Sequence, residues 1–437
     1  MSLRNADYDI VVVGAGAAGL AAAAEIARAG ASALVLEARD RVGGRCRSLH
    51  VPGLAVPVDL GAEFIHGRPA ATLSLLERAG SAAIDAPRRP WILKDGTLVP
   101  RADFLPELLA AMKASRALER RDRSFDNYLE RELRPRVAAD ACVYARMLVQ
   151  GYDAADPARV SAHSIVEEWT REASGNDHAR PLGGYGLLLE HLYRALAGTP
   201  VHVKFQTEVR NVMWRSGAVA VAAVGGDTSV HVRARRVIVT LPLGVLKRAA
   251  REAGAVRFDP PLAAKQPALR RLAPGAVIKV VLRFRRAFWE TADGGCYRDA
   301  TFFHAPGSPF PTLWTALPVR VPLLVAWCGG PNAERMTGTA TPRLVQRALE
   351  SVERMFSLQG LEAELMAAYV HDWQSDSYAR GAYSYVTVGG AGARKSLAAP
   401  LRRTLFFAGE ATDTGGEAGT VAGALASGVR AAREALA

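Results

Sequence analysis

Tyr8-Asp9-Ile10-Val11-Val12-Val13, Gly14-Ala15-Gly16-Ala17-Ala18-Gly19 and Leu20-Ala21-Ala22-Ala23-Ala24-Glu25-Ile26-Ala27 read in turn as a buried strand, a glycine turn and an alanine-rich helix. Val35-Leu36-Glu37 then reads as a second strand closing on an acid. Gly14 permits a tight turn, Gly16 lets backbone approach a pyrophosphate, and Gly19 lets helix and strand pack closely. The helix N-terminus offers free N–H groups and a positive dipole end to phosphates. Glu37 falls roughly 20 residues on, where a carboxylate accepts hydrogen bonds from ribose hydroxyls. A glycine fingerprint alone also occurs as a plain turn in other α/β units. Here strand, helix and acid all stand where dinucleotide binding needs them.

Glu37-Ala38-Arg39-Asp40-Arg41-Val42-Gly43-Gly44-Arg45 adds a second glycine pair and an arginine directly after the acid. Two glycines admit a bulky cofactor, and Arg45 can meet pyrophosphate as a charged fork. This stretch resembles the flavin-binding motif of the FAD-dependent amine oxidases, a family of monoamine oxidases, polyamine oxidases, L-amino acid oxidases and lysine-specific histone demethylases. The resemblance runs from Asp7 to about Arg433 and is vague only through residues 85–180, where selectivity would be written. It implies an α/β fold: a discontinuous Rossmann-like FAD-binding domain and a mixed α+β substrate-binding domain.

The bulk properties agree with a globular enzyme. The chain has 437 residues, 49% hydrophobic and 22% charged, which suits two intertwined domains. The net charge of +12 is spread in short pairs such as Arg88-Arg89 and Arg402-Arg403, which read as solvated surface and not as a nucleic-acid track. That excess would not gather polycations. Cys46, Cys142, Cys296 and Cys328 are scattered, with no C-x-x-C pair and no histidine cluster beside them. No metal site is expected, and reduced thiols point to the cytoplasm. No apolar segment reaches the ~20 residues that span a bilayer, and the amphipathic 424–437 offers no membrane anchor.

Nucleotide-domain signals recur at three places: residues 1 to about 70, the β-branched runs from Val201 to Pro242, and Thr404–Gly409 with the helix after it. Residues 103–195 carry helical spacing, whereas 265–390 mix strands at Val277–Phe284 and Leu323–Trp327 with a helix near Arg343–Phe356. The expected FAD-binding domain is 1–72, 198–262 and 392–437. The expected substrate-binding domain is 73–197 and 263–391.

Four stretches could carry chemistry. In Asp59-Leu60-Gly61-Ala62-Glu63-Phe64-Ile65-His66-Gly67 the glycines let a loop pass close to a flat ring. By resemblance this loop lies beside the flavin with His66 at the substrate end, the form found in animal-type polyamine oxidases; a satisfied loop histidine is the plain alternative. Lys279 interrupts the apolar run Val277–Phe284, and a buried lysine needs a partner or a task. It matches the family lysine that faces flavin N5 through a water; the alternative is an edge-strand lysine that snorkels to solvent. His371-Asp372-Trp373 and Gly381-Ala382-Tyr383 resemble the family's ring-packing tryptophan and cage tyrosine, an electron-rich wall for an amine, although two core aromatics would read the same way. Ala382 stands where some monoamine oxidases carry the cysteine that binds flavin, so the FAD is expected to be non-covalent. Phe406-Phe407-Ala408-Gly409-Glu410 ends a strand at a glycine and an acid, and by resemblance Glu410 meets the ribityl or pyrophosphate region. Thr420-Val421 opens a helix toward the flavin, with threonine in place of a second cage tyrosine, as in polyamine oxidases and histone demethylases. Gly183-Gly184-Tyr185-Gly186 reads as a structural turn.

The resemblance thus implies cofactor contacts at Gly14, Gly16, Ala18, Gly19, Glu37, Ala38, Arg39, Gly44, Arg45, Gly61, Ala62, Glu63, Val209, Trp373, Gly409, Glu410, Thr420 and Val421. The catalytic group would be Lys279, Tyr383, His66, Trp373 and Thr420. The implied reaction passes a hydride from the carbon beside an amine nitrogen to flavin N5, with imine hydrolysis and O₂ returning H₂O₂. His66 and Thr420 favour a polyamine-like or secondary amine. Glu63, Glu167 and Glu168 are candidate acids at the pocket. An L-amino acid oxidase, a desaturase on the same scaffold and a non-catalytic flavoprotein remain open.

Overall fold

The computed structural model describes residues 6–101, 104–119, 121–172, 178–226, 228–249, 252 and 254–437. Ile10 to Val13 are buried on both faces of the strand Tyr8–Val13, which is why they read as an unbroken apolar run. Ile10 and Val12 pack with the helix Ala17–Arg28, and Val11 and Val13 pack with Val212, Val221 and Val237. This strand belongs to an eight-stranded sheet. Val201–Lys204, Ala33–Leu36, Tyr8–Val13, the end of Thr228–Val239 and Leu405–Phe407 run parallel in that order, with Val11 between Leu34 and Val237. The first half of Thr228–Val239 pairs antiparallel with Ala218–Gly225, which pairs with Glu208–Arg215. The strands therefore come from three separated stretches of chain.

Helices Ala17–Arg28 and Val421–Leu436 lie close together over this sheet. A Cβ on Gly428 would stand 2.1 Å from the Ala18 carbonyl oxygen, and one on Gly19 would stand 1.9 Å from that of Gly14. Only glycine permits either approach.

The second large sheet has seven strands in the order Leu365–Asp372, Val277–Phe284, Leu323–Gly329, Thr312–Thr315, Phe302–His304, Pro90–Lys94 and Thr97–Pro100. Alternation along Val277–Phe284 sorts its side chains. Ile278, Val280 and Leu282 join the core under the helix Thr341–Phe356, whereas Val281 packs with Val58, Leu60 and Trp314 on the opposite face. Lys279 shares that second face. The hairpin Pro90–Lys94 and Thr97–Pro100 extends this sheet from outside the 265–390 region. It turns on Asp95 (φ 48°) and Gly96 (φ 81°), the left-handed pair that suits a tight hairpin. Between residues 105 and 194 the chain is mainly helical, with a short sheet of Ile65–His66, His178–Pro181 and Ala83–Asp85 beside it.

Candidate active site

Both large sheets contribute walls to a cavity of about 400 Å³. At one end the wall is the glycine turn. A Cβ added at Gly16 or Gly409 would meet no described atom within 4 Å, so at both places bare backbone faces open space. Gly14, Ala18, Ala38, Gly44 and Val209 also line the cavity. Gly19 does not line it among the described residues; its place is under the turn, against Gly14.

The charged groups at this end are already ordered. The Glu37 carboxylate accepts from Ala15 N at 2.7 Å and from Arg39 N at 2.9 Å. Burial still raises its pKa above the usual carboxylate range. Arg39 pairs with Asp376 at 2.7 Å and lies over the Tyr378 ring. Arg45 donates to Ala382 O at 2.6 Å and to Glu410 Oε1 at 2.9 Å. Glu410 Oε2 accepts from Ser384 Oγ at 2.7 Å, and Arg394 donates to the same hydroxyl at 2.6 Å. Burial works against the Glu410 charge, but Arg45 and Arg394 outweigh it and hold the carboxyl below its ordinary range. An extended cradle of free backbone, two helix N-termini and ordered arginines fits a dinucleotide and its pyrophosphate.

At the other end stands Lys279, 0% exposed. Its strand is paired on both sides, with Trp327 and His371 opposite the lysine, so it is no edge residue that snorkels to solvent. Its Nζ donates to Glu63 Oε2 at 2.7 Å and to Gly61 O at 3.3 Å. Burial raises the Glu63 carboxyl, but Lys279 and Arg180 outweigh burial and hold it down at about 2. Asp59, beneath the same loop, is pushed up to about 7 by burial and by the Glu63 charge. Gly61 and Ala62 line the cavity beside Glu63.

His66 also lines the cavity. Its Nδ1 lies 3.2 Å from Tyr152 Oη and 3.1 Å from His178 Nδ1. Burial, aided by Arg88, pushes His66 down to about 4; burial and His66 push His178 down to about 3. Tyr383 donates to Tyr152 O at 2.5 Å, and burial keeps its phenol protonated. Trp373 is buried with its indole donating to Leu60 O at 2.9 Å. Thr420 does two things. It lines the cavity, and its hydroxyl caps the helix Val421–Leu436 by accepting from Gly423 N at 3.1 Å. Of the candidate acids, Glu63 and Glu168 line the cavity, whereas Glu167 pairs with Arg171 at the surface.

His178, Tyr152, Trp314 and Arg394 all line this cavity, Arg180 stands behind Glu63 and lines a smaller neighbouring cavity, and sequence reasoning passed over all five. All but Arg394, which reaches Ser384, lie far in the chain from their partners. Only Tyr152 had a nearby signal, the glycine that ends the helix Ala139–Gly151.

The family model for flavin containing amine oxidoreductases matches residues 17–436, and the chain belongs to that family. Its cofactor is FAD. Lysine-specific histone demethylase 1 homolog 3 of Arabidopsis thaliana is 28% identical over 498 residues, covering 97% of this chain and 29% of the relative. Lysine-specific histone demethylase 2 of Homo sapiens is 26% identical over 456 residues, covering 97% and 53%. The chain thus spans about half or less of these relatives' length. The solved structure of putrescine oxidase bound to putrescine has a TM-score of 0.80 at 23% identity, with 98% of this chain and 99% of that one covered. Cyclohexylamine oxidase from Brevibacterium oxydans IH-35A has a TM-score of 0.80 at 20% identity, covering 98% of each. At those identities the likeness is one of fold. Among the described residues no helix is long and apolar enough to cross a membrane, and no histidine, cysteine, aspartate and glutamate group could hold a metal.

Proposed function

We propose that this protein is an FAD-dependent oxidase of small amines. The observation that carries the reading is Lys279: a fully buried lysine on an interior strand, at the wall of the same cavity that begins at the Gly14–Gly19 turn. Segments 1–72, 198–262 and 392–437 would hold the dinucleotide, and 73–197 with 263–391 would shape the amine chamber. Gly14, Gly16, Ala18, Glu37, Arg39, Gly44 and Arg45 would hold the adenosine and pyrophosphate. Gly61, Glu63, Lys279, Trp373, Tyr383, Thr420 and Val421 would border the flavin ring. Ala382 has no group that could bond it, so the FAD is non-covalent.

When bound, FAD supplies the hydride acceptor and the path by which O₂ becomes H₂O₂. The chain supplies position and charge. Tyr383 and Trp373 wall the amine, and the N-terminus of the helix Val421–Leu436 turns its positive end to the cavity. An amine must be neutral to lose a hydride, so turnover should rise with pH. The burial that keeps His66 and His178 neutral also disfavours a bound ammonium. His66 and Thr420 support a polyamine-like or secondary amine. A second reading, an oxidase of amines that carry a carboxylate, is favoured by Arg88 and Arg101 on the cavity wall.

The test is H₂O₂ formation by the purified yellow protein across polyamines, secondary amines, aryl-alkyl amines and L-amino acids. One class should stand out at least ~tenfold in kcat/KM, a discrimination of about 1.4 kcal/mol. No H₂O₂ with any of them would defeat the reading.

A further inference from the structure

Glu63 is the joint of a buried cluster that no single stretch of sequence contains. Lys279 Nζ donates to its Oε2 at 2.7 Å, and Arg180 Nε donates to its Oε1 at 2.9 Å. The Trp314 indole donates to both oxygens, at 3.0 and 3.1 Å. The side chains of Lys279, Glu63 and Arg180 are 1%, 10% and 15% exposed. Arg180 is itself fixed on every side. Its Nη1 donates to Leu317 O at 2.6 Å, its Nη2 to Thr315 O at 2.9 Å, and its guanidinium lies 4.4 Å from the Phe64 ring centre. It reaches this point from the strand His178–Pro181, whereas Thr315 and Lys279 belong to the large second sheet. A carboxylate met by two cations and an indole in a dry site has one orientation.

We propose that Arg180 is a positioning residue for Lys279: by clamping Glu63 it fixes the anion that holds the lysine at the cavity wall. The proposal rests on the reading of Lys279 as the lysine beside the flavin. The groups that face Glu63 are Lys279, Arg180, Trp314 and, through its charge, Asp59. Burial raises the Glu63 carboxyl, and two cations outweigh burial. With Arg180 gone, one cation must do this alone against burial; Asp59, itself raised to about 7, is protonated in mild acid and adds no repulsion there. Glu63 would then take up a proton in mild acid, and Lys279 would lose its partner there. The intact cluster would keep the pair.

The experiment uses the flavin-loaded wild type, Arg180→Met, Arg180→Lys and Glu63→Gln. Each is reduced with dithionite, without any amine. The midpoint potential of the bound flavin and the rate of its reoxidation by O₂ are then followed from about pH 5.5 to 8.5. Relative to wild type, Arg180→Met should be within ~threefold in reoxidation near the alkaline end and at least ~tenfold slower near the acid end, with its potential diverging over the same range. Arg180→Lys should move that break to lower pH than Arg180→Met does. Glu63→Gln, which has no charge to lose, should differ from wild type at every pH. Arg180→Met tracking wild type throughout would overturn the proposal, and so would identical breaks in Arg180→Met and Arg180→Lys. If Arg180→Met does not fold, Glu63→Gln decides. A glutamine variant that behaves as wild type would overturn the clamp; one altered in both readouts, together with a break in Arg180→Lys, would support it. Because no amine is used, failure of the clamp is distinct from failure of the amine oxidase reading, which would show as wild-type flavin that no amine reduces.

Discussion

Lys279 and Thr420 each carry a prediction that their contacts make specific. Lys279→Met keeps the apolar stem of the side chain and removes the ammonium. Glu63 retains Arg180 and Trp314, so the loop stays ordered and flavin should remain bound. Rapid-mixing traces of the two half-reactions should show at least one slowed by ~tenfold or more, which is about 1.4 kcal/mol. Wild-type rates in both would leave Lys279 a structural lysine. Thr420 faces the cavity and caps a helix with the same hydroxyl. Thr420→Ala should therefore lower stability by ~0.5–2 kcal/mol, the usual worth of such a cap, whereas Thr420→Ser should restore it. Denaturant melts of the three proteins check this. Equal midpoints in all three would remove the capping role.

The helices and strands around the turn separate the two uses of glycine. Gly16 opens on the cavity, with no described atom within 4 Å of an added Cβ. Gly16→Val should fold with little loss of stability yet retain far less FAD after dialysis. Gly19 lies against the Gly14 carbonyl, so Gly19→Val should fail to fold or lose several kcal/mol, with or without FAD. Thermal melts and flavin content distinguish these outcomes; a stable, FAD-poor Gly19→Val would reverse the assignment. This end of the molecule was legible in the sequence because its parts are consecutive: strand, turn, helix and acid lie within residues 8–37. Lys279 was legible because a charge in an apolar strand is conspicuous. The hairpin 90–100 was not read as part of the second sheet, though its Asp95-Gly96 turn is a strong hairpin signal. Arg180 and His178 were out of reach for a different reason. Their strand has four residues and pairs with segments about a hundred residues away. Nothing local marks which arginine will find Glu63.

Across the whole molecule, burial has left titratable groups whose charge the folded chain resists. His66 is pushed down to about 4, and His178 and His304 to about 3. A depressed histidine lends stability that is complete above its unfolded pKa of about 6.5 and lost as pH falls toward the folded value. Asp59, raised to about 7, acts in the opposite sense: its contribution is present in acid and lost as pH rises through 7. For these four groups together, three histidines against one aspartate, unfolding takes up about two protons between about pH 4 and 6.5. Stability should fall as the solution is acidified through that window. His304→Gln, away from Lys279, should reduce the slope by about one proton, measured as the pH dependence of denaturant midpoints. A slope unchanged by the substitution would show that His304 titrates normally. The protein's central claim, amine oxidation on bound FAD, is tested most directly by anaerobic mixing with a panel of amines and amino acids while flavin absorbance is followed. The account predicts that at least one small amine bleaches the flavin and that admitting O₂ restores the colour with one H₂O₂ per flavin. Flavin that stays oxidised with every amine, yet bleaches normally with dithionite, would contradict it.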